Sequence, residues 1–344
     1  MTQGAAPEGG ARWRIQVEGG TAFDIARDED TLLRGALRAG CGWAYECSVG
    51  GCGSCRFDLL EGEVQDLWPG APGLSARERQ RGKRLACQSR VCGDLRVRVR
   101  LGAAPPPTGP APRRFEARLV QVRTLTADMA EFSFAAEGAA DFLPGQYALA
   151  CLPGVAGARA WSMSNLPNGH GLWQFIVKRM PGGLGSATLF DRVGLQQAIT
   201  LDGPYGHAHL NTDSARDLVC IGGGSGLGPM LSVVRGALAV HDARRVRLYI
   251  GLRSQADVGA LQALQGLDNP RLDVTTVLSA AEPDPPWAGA TGFVHEVMER
   301  TLPAPMSDFD FYFAGPPPMV EAVQSLLMQR HRVHPQQLRF DRFV

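Results

Sequence analysis

Residues Glu46–Cys55 read ECSVGGCGSC, placing three cysteines and three glycines in ten positions. A fourth cysteine, Cys87 in RLACQSR, follows 32 positions after Cys55, so the pattern is Cys47-x4-Cys52-x2-Cys55 … Cys87. Four thiolates at this spacing suit two irons, the arrangement of a [2Fe-2S] centre. The glycines fit the same chemistry, because a loop around sulfur must bring backbone N–H groups close. Gly50, Gly51 and Gly53 lack Cβ and are expected at positive φ where the loop curls. Zinc fits less well: its structural sites favour two closely spaced ligand pairs, and only one C-x2-C is present. A redox Cys-x-x-Cys is expected to open a helix after a strand. Cys41 and Cys92 fall outside the spacing, and Cys151 and Cys220 lie in apolar runs, as small buried hydrophobes do.

Outward from this loop, Trp13–Val17 and Thr21–Ile25 flank Glu18-Gly19-Gly20 as a β-hairpin. Asp30 is expected to cap a helix carrying Leu32, Leu33, Ala36 and Leu37 that stops at Gly40. The stretch 95–101, LRVRVRL, alternates as a half-buried strand with its valines inward. A small α+β module of residues 1–101 results. It is followed by a linker, 102–113, whose segment GAAPPPTGPAP holds five prolines in eleven residues and favours extended, semi-rigid geometry.

The 344 residues allow two or three domains. A net charge of +1 supplies no field favouring nucleic acid or an anionic membrane. Only Lys83 and Lys178 are lysines, so arginine carries nearly all the positive charge. No run of eighteen apolar residues is present, and MTQGAAPEGGARW lacks the features of a secretory signal. The expectation is a cytoplasmic protein without membrane or nucleic-acid partners, where reducing conditions disfavour disulfides.

Beyond the linker, Phe115–Val122, Glu131–Ala135, Tyr147–Leu152 and Trp173–Lys178 read as short strands of an antiparallel barrel or sandwich, residues 114–211. From residue 212 to 344 the rhythm becomes that of an open parallel α/β sheet. Leu218–Ile221, Arg247–Ile250, Leu272–Val277 and Phe309–Phe313 are its strands, with a helix over Gly228–Val240. Four motifs lie among these elements. RAWS, Arg159–Ser162, sets a guanidinium, an aromatic ring and a hydroxyl together, which suits a flavin nucleotide and equally a surface arginine beside a core tryptophan. PGGLGS, Pro181–Ser186, enters a helix as an anion-binding turn. GGGSGLGP, Gly222–Pro229, joins an apolar strand to a helix as a pyrophosphate cradle, though it departs from G-x-G-x-x-G. AGPPPM, Ala314–Met319, ends the Phe309–Phe313 strand at the sheet edge where ligands bind.

In this order the motifs resemble the ferredoxin–NADP reductase superfamily with an N-terminal plant-type ferredoxin, as found in reductase components of bacterial multicomponent oxygenases. Within that group the chain most resembles toluene monooxygenase reductase subunits, through YECSVGGCGSC, LLEGEVQDLWPGAPGLSARE, LACQ, LDGPYG, GGGSGLGPM, TGFVHE and FDRFV. The resemblance implies a β-grasp ferredoxin domain, an antiparallel β-barrel FAD domain and a parallel-sheet α/β NADH domain. It implies Cys47, Cys52, Cys55 and Cys87 as cluster ligands. Arg159 would meet the flavin diphosphate, Trp161 would lie in the same flavin motif, and Ser162 would lie near flavin N5 as the catalytic residue. Ile176 and Lys178 join them as cofactor-binding residues, with Gly182, Gly183 and Ser186 in the phosphate turn. Gly223, Gly224, Ser225, Gly226 and Pro229 would form the dinucleotide loop, Gly315, Pro316 and Met319 the nicotinamide-side turn. Phe343 would help cover the flavin, and Arg253 stands where it could approach a 2′-phosphate, although NADH is the implied donor. Two departures are visible: Trp161 replaces the usual tyrosine, and Ala314 a frequent cysteine.

The implied activity is electron transfer from NADH through FAD and the [2Fe-2S] cluster, in a monomeric reductase, to an oxygenase hydroxylase component or a Rieske or other ferredoxin. Substrate oxidation belongs to another subunit, since no C-x-H pair or E-x-x-H motif is present. A di-iron aromatic monooxygenase is the expected client. A Rieske oxygenase client, a redox-sensing iron–sulfur flavoprotein and a zinc-stabilised binding protein are the alternatives.

Overall fold

The computed structural model describes residues 11–100, 109–240, 243–284, 286–303 and 305–343. The chain divides into two units, Met1–Arg113 and Arg114–Val344. Most of the expected Pro-rich linker, 102–108, and the end of the expected strand at Leu101 lie outside the described residues.

The first unit orders β1 (Arg12–Val17), β2 (Phe23–Ala26), α1 (Leu32–Arg38), β3 (Arg56–Glu61), β4 (Val64–Asp66), α2 (Ala76–Gln80), β5 (Lys83–Leu85), β6 (Ser89–Val91) and β7 (Leu95–Arg98). The hairpin β1–β2 forms as its glycine turn requires, and β1 pairs in parallel with β7 at the sheet centre. The order β2-β1-β7-β3-β5 gives the mixed sheet of a β-grasp domain, with β4–β6 as a separate pair. Helix α1 covers the sheet with Leu32, Leu33, Ala36 and Leu37, all buried. Its N-cap is Thr31 and not Asp30: the Thr31 hydroxyl accepts from the Arg34 N–H, while Asp30 is drawn into an ion pair with the Arg34 guanidinium. Strand β7 ends at Arg98, so Val97 is fully buried and Val99 only half-buried.

The second unit begins with six antiparallel strands: β8 (Arg113–Thr126), β9 (Met129–Ala136), β10 (Tyr147–Cys151), β11 (Arg159–Ser162), β12 (Leu172–Lys178) and, after α3 (Leu184–Asp191), β13 (Ala198–Tyr205). They are ordered β11-β10-β13-β8-β9-β12, and the bridge Met163–Phe175 joins the two edges into a barrel. Ala130, Phe132 and Phe134 of β9 and Trp173, Phe175 and Val177 of β12 fill its interior, two residues apart as the pleat dictates. The outward residues of the same strands do not all meet water. Glu131 and Ser133 are buried, and Ile176 packs into the core of the parallel-sheet half.

That half contains β14 (Asp217–Gly223), α4 (Leu227–Ala239), β15 (Val246–Leu252), β16 (Leu272–Leu278), β17 (Ala290–Thr291), α5 (Val294–Thr301), β18 (Phe309–Gly315), α6 (Pro317–Ser325) and β19 (Leu338–Arg342). All pairings in the order β17-β16-β15-β14-β18-β19 are parallel. Leu218 and Cys220 face the α4 side, and Val219 and Ile221 face the α5–α6 side. Burial on both faces explains why β14 is an unbroken apolar run instead of an alternating one. Cys220 is buried as expected, whereas Cys151, at the end of β10, is only half-buried.

Candidate functional site: a cysteine loop and two glycine turns

The four thiols come together in two couples. Cys47 is hydrogen-bonded to Cys52, and both are half-buried; Cys55 is hydrogen-bonded to Cys87, and both are buried. Its bond to Cys52, then burial, pushes Cys47 up, while the same bond lowers Cys52 to about 4. The bond to Cys55 and burial likewise raise Cys87, and Cys55 falls. Among the described residues no three His, Cys, Asp or Glu side chains form a group fit to hold a single ion. Cys47 beside Cys52 and Cys55 beside Cys87 match a dinuclear centre with two protein ligands per iron.

The loop is shaped for sulfur. The Cys52 N–H donates to Cys47 Sγ at 3.3 Å and the Ser54 N–H to Cys52 Sγ at 3.4 Å. Gly50 and Gly53 take positive φ, but the third such residue is Ser48, not Gly51. The loop is held from behind by residues that the spacing of the cysteines does not announce. A Cβ on Gly73 would lie 2.7 Å from both Gly50 O and Gly53 N, Arg56 Nε donates to Gly73 O at 3.0 Å, and the Trp68 ring closes over Gly50. The Pro-Gly turns of LWPGAPGL were the only sequence signal for this backing.

In the second unit the flavin motif, expected just after a strand, is itself the strand β11. Arg159 sits at its start with Nη1 donating to the carbonyls of Ala156, Gly157 and Ala158, each at 3.2 Å, and its side chain lies over Gly185 in the first turn of α3. The arginine and the phosphate turn are therefore brought together. Gly183 caps α3, Gly182 is left-handed with open space where a Cβ would be, and Ser186 Oγ accepts from Met180 N and donates to Gly183 O. Trp161 packs its ring 6.0 Å from that of Phe175. Ser162, 9 % exposed, ends the strand. Lys178 does not join this group: it pairs with Asp128 at 3.2 Å and approaches Asp257 at 3.9 Å. Ile176 lies in the core, 3.5 Å from where a Gly228 Cβ would stand. A flavin nucleotide fits this arrangement through an arginine poised over a helix N-terminus and a glycine with free space beside it.

The dinucleotide residues collect at the carboxyl edge of the parallel sheet. β14 ends in Gly223, β18 in Gly315 and β19 leads into Phe343, whose N–H donates to Gly315 O at 3.0 Å. A Cβ on Gly226 would run into the Ala314 carbonyl, and one on Gly223 would stand 2.5 Å from Met319 Sδ and 3.2 Å from Pro316 Cδ. Gly224 alone in this loop is left-handed and has nothing within 4 Å. Ser225 is half-buried, and Pro229 is buried in α4. The pyrophosphate of a dinucleotide fits here because a strand end, an open glycine and a following helix N-terminus converge. Arg253 ends up apart, exposed beyond β15, with its N–H donating to Asp257 Oδ2 at 3.2 Å.

Comparisons with known proteins find three cofactor-binding domains in this order along the chain. Residues 15–92 match the model of the 2Fe-2S iron-sulfur cluster binding domain, 116–210 the oxidoreductase FAD-binding domain and 220–325 the oxidoreductase NAD-binding domain. The ferredoxin–NAD(P)(+) reductase CarAd of Metapseudomonas resinovorans is 40 % identical over 335 residues, 96 % of this chain and 99 % of that one. The ferredoxin–NAD(+) reductase component of the alkene monooxygenase system of Xanthobacter autotrophicus is also 40 % identical over 335 residues, 96 % of this chain and all of the relative. Among solved structures, the ferredoxin reductase in carbazole 1,9a-dioxygenase superposes with a TM-score of 0.89 at 34 % identity, covering 97 % of this chain and 99 % of that one. With three cofactor domains matched in order and full-length relatives at this identity, the chain belongs to the ferredoxin–NAD(P)(+) reductase family, among the reductase components of multicomponent oxygenases.

Proposed function

We propose that this chain is an NADH-dependent reductase for an aromatic monooxygenase whose hydroxylase contains a di-iron site. Residues 1–101 would hold the cluster, 114–211 the flavin and 212–344 the nicotinamide nucleotide, with 102–113 as the linker. When bound, these groups would supply two-to-one electron conversion, the hydride of NADH leaving as two single electrons and a proton. The protein's part is to bind and orient them. Cys47, Cys52, Cys55 and Cys87 ligate iron, and Arg159 with Gly182, Gly183 and Ser186 neutralises and seats the flavin diphosphate. The Ser162 hydroxyl would lie near the reacting edge of the flavin, and Gly223–Gly226 with Gly315 and Pro316 would hold the dinucleotide.

The observation that carries this reading is the adjacency of donor and acceptor sites. Gly228, two residues past the dinucleotide loop, would place a Cβ 3.8 Å from the Ser162 carbonyl oxygen. Iron, sulfide and flavin analysis of the purified protein, with NADH-dependent reduction of cytochrome c, tests it. A preparation that lacks both flavin and iron and does not oxidise NADH would sink the reading. Cys87→Ser is expected to lower cytochrome c reduction at least tenfold while NADH–ferricyanide activity persists.

Among the described residues no helix is long and apolar enough to cross a membrane. We infer a cytoplasmic monomer, checked by fractionation and light scattering. A Rieske oxygenase client is the second reading, favoured by the carbazole 1,9a-dioxygenase named for one structural relative. Metal analysis of the partner captured from native lysate separates the two.

A further inference from the structure

Helix α4 carries Gly228, Ser232 and Arg235 at intervals of four and three residues, which sets them on one face. All three meet the same short stretch of the barrel, the exit of β11. Gly228 lies against the Ser162 carbonyl. One turn on, Ser232 Oγ donates to the Asn165 carbonyl at 2.7 Å. A further turn on, Arg235 Nη1 donates to the Ser164 carbonyl at 2.5 Å, and its Nη2 to the Ala263 carbonyl at 3.1 Å. Ser232 and Ser164 are fully buried and Asn165 is 8 % exposed, so these carbonyls have little access to water. The fastening continues sideways. Ser164 Oγ donates to Glu131 at 3.2 Å, Glu131 pairs with Arg123 at 2.8 Å, and Arg123 reaches the Gln262 carbonyl at 3.4 Å.

We propose that Ser232 and Arg235 are positioning residues, which fix the β11 exit, and Ser162 with it, at a set distance from the helix that follows the dinucleotide loop. The proposal rests on the reading of Ser162 and Gly223–Gly226 as flavin and nicotinamide sites. Hydride transfer needs reacting atoms about 3–3.5 Å apart, and a displacement of about 1 Å costs on the order of 100-fold in rate. A charged donor on a buried carbonyl makes a stiff tie, roughly twice as strong as a neutral hydrogen bond. Arginine suits the place better than lysine because one planar fork spans two carbonyls from separate segments. Neither side chain lies in the loop or strand that would hold the nucleotides, so nucleotide affinity and transfer rate should separate.

The test uses the full chain as Arg235→Met, Arg235→Lys and Ser232→Ala, with rapid mixing against NADH and amide hydrogen exchange measured without NADH. Expected for Arg235→Met is a roughly 10- to 100-fold slower flavin bleaching at saturating NADH, an apparent NADH Kd within threefold, and at least tenfold faster exchange confined to residues 162–166. Arg235→Lys should recover part of the rate, and Ser232→Ala should lose roughly fivefold, so the idea stays testable if Arg235→Met does not fold. Bleaching and exchange within twofold of the parent in Arg235→Lys and Ser232→Ala would overturn it. So would faster exchange across the whole second unit with loss of flavin, which marks a bulk stability role. Failure of the functional reading would instead appear in the unsubstituted parent, as an absence of NADH-driven bleaching.

Discussion

Two glycine turns that look alike as sequence, residues 182–186 and 222–226, are built differently. In the first, a Cβ on Gly182 would meet nothing, one on Gly183 would touch its own turn, and one on Gly185 would meet only the Arg159 side chain. In the second, Gly222, Gly223 and Gly226 are crowded by Leu227, Met319 and the Ala314–Gly315 backbone, and only Gly224 is open. Glycine in the first turn leaves room beside a movable arginine. In the second it mostly lets three segments of protein close on one another, with a single position spare for a ligand.

Substitutions that add one methyl group sharpen this contrast. Gly226→Ala has the largest expected effect, because the obstacle is backbone: about 3 kcal/mol of destabilisation, read as a lower urea midpoint with a raised NADH KM. An unchanged midpoint would mean that β18 yields freely, and the contrast would fall. Gly223→Ala meets a flexible thioether, so about 1.5 kcal/mol is expected. Adding Met319→Ala should return at least half of that in a double-mutant cycle. Gly182→Ala forces a side chain to φ +69° without a clash, which costs about 1 kcal/mol and gives no packing partner whose truncation rescues it. Gly228→Ala is the smallest. Its Cβ would stand in ordinary contact with Ile176 at 3.5 Å, and calorimetry should find stability within about 0.5 kcal/mol of the parent, because helix propensity favours alanine.

The same contrast marks what sequence conveys. Cys47, Cys52, Cys55 and Cys87 announce the cluster because ligand spacing is local along a loop, and β14 announces itself because a strand buried on both faces must be apolar throughout. Which thiol pairs with which depends on the later return of Cys87 and has no local trace. Thr31 takes the cap from Asp30 because Arg34 competes for the carboxylate, a contest between neighbours of similar propensity. Ser48 occupies the left-handed position that Gly51 was expected to share. An alternating strand reads the same whether its polar face meets water or another domain, so the burial of Glu131 and the tie from Arg235 to Ser164 emerge only from the fold. Lys178 pairs with Asp128 and Ile176 packs into the parallel-sheet core, contacts that the strand pattern alone does not show.

That shared core limits how the chain can be taken apart. Leu125, Met129 and Ile176 come from barrel strands, yet they cluster with Leu218, Leu227, Met230 and Leu231 of the parallel-sheet half. A cut near residue 211 would leave raw apolar surface on both fragments. The barrel and the parallel sheet of the second unit are therefore inherited together.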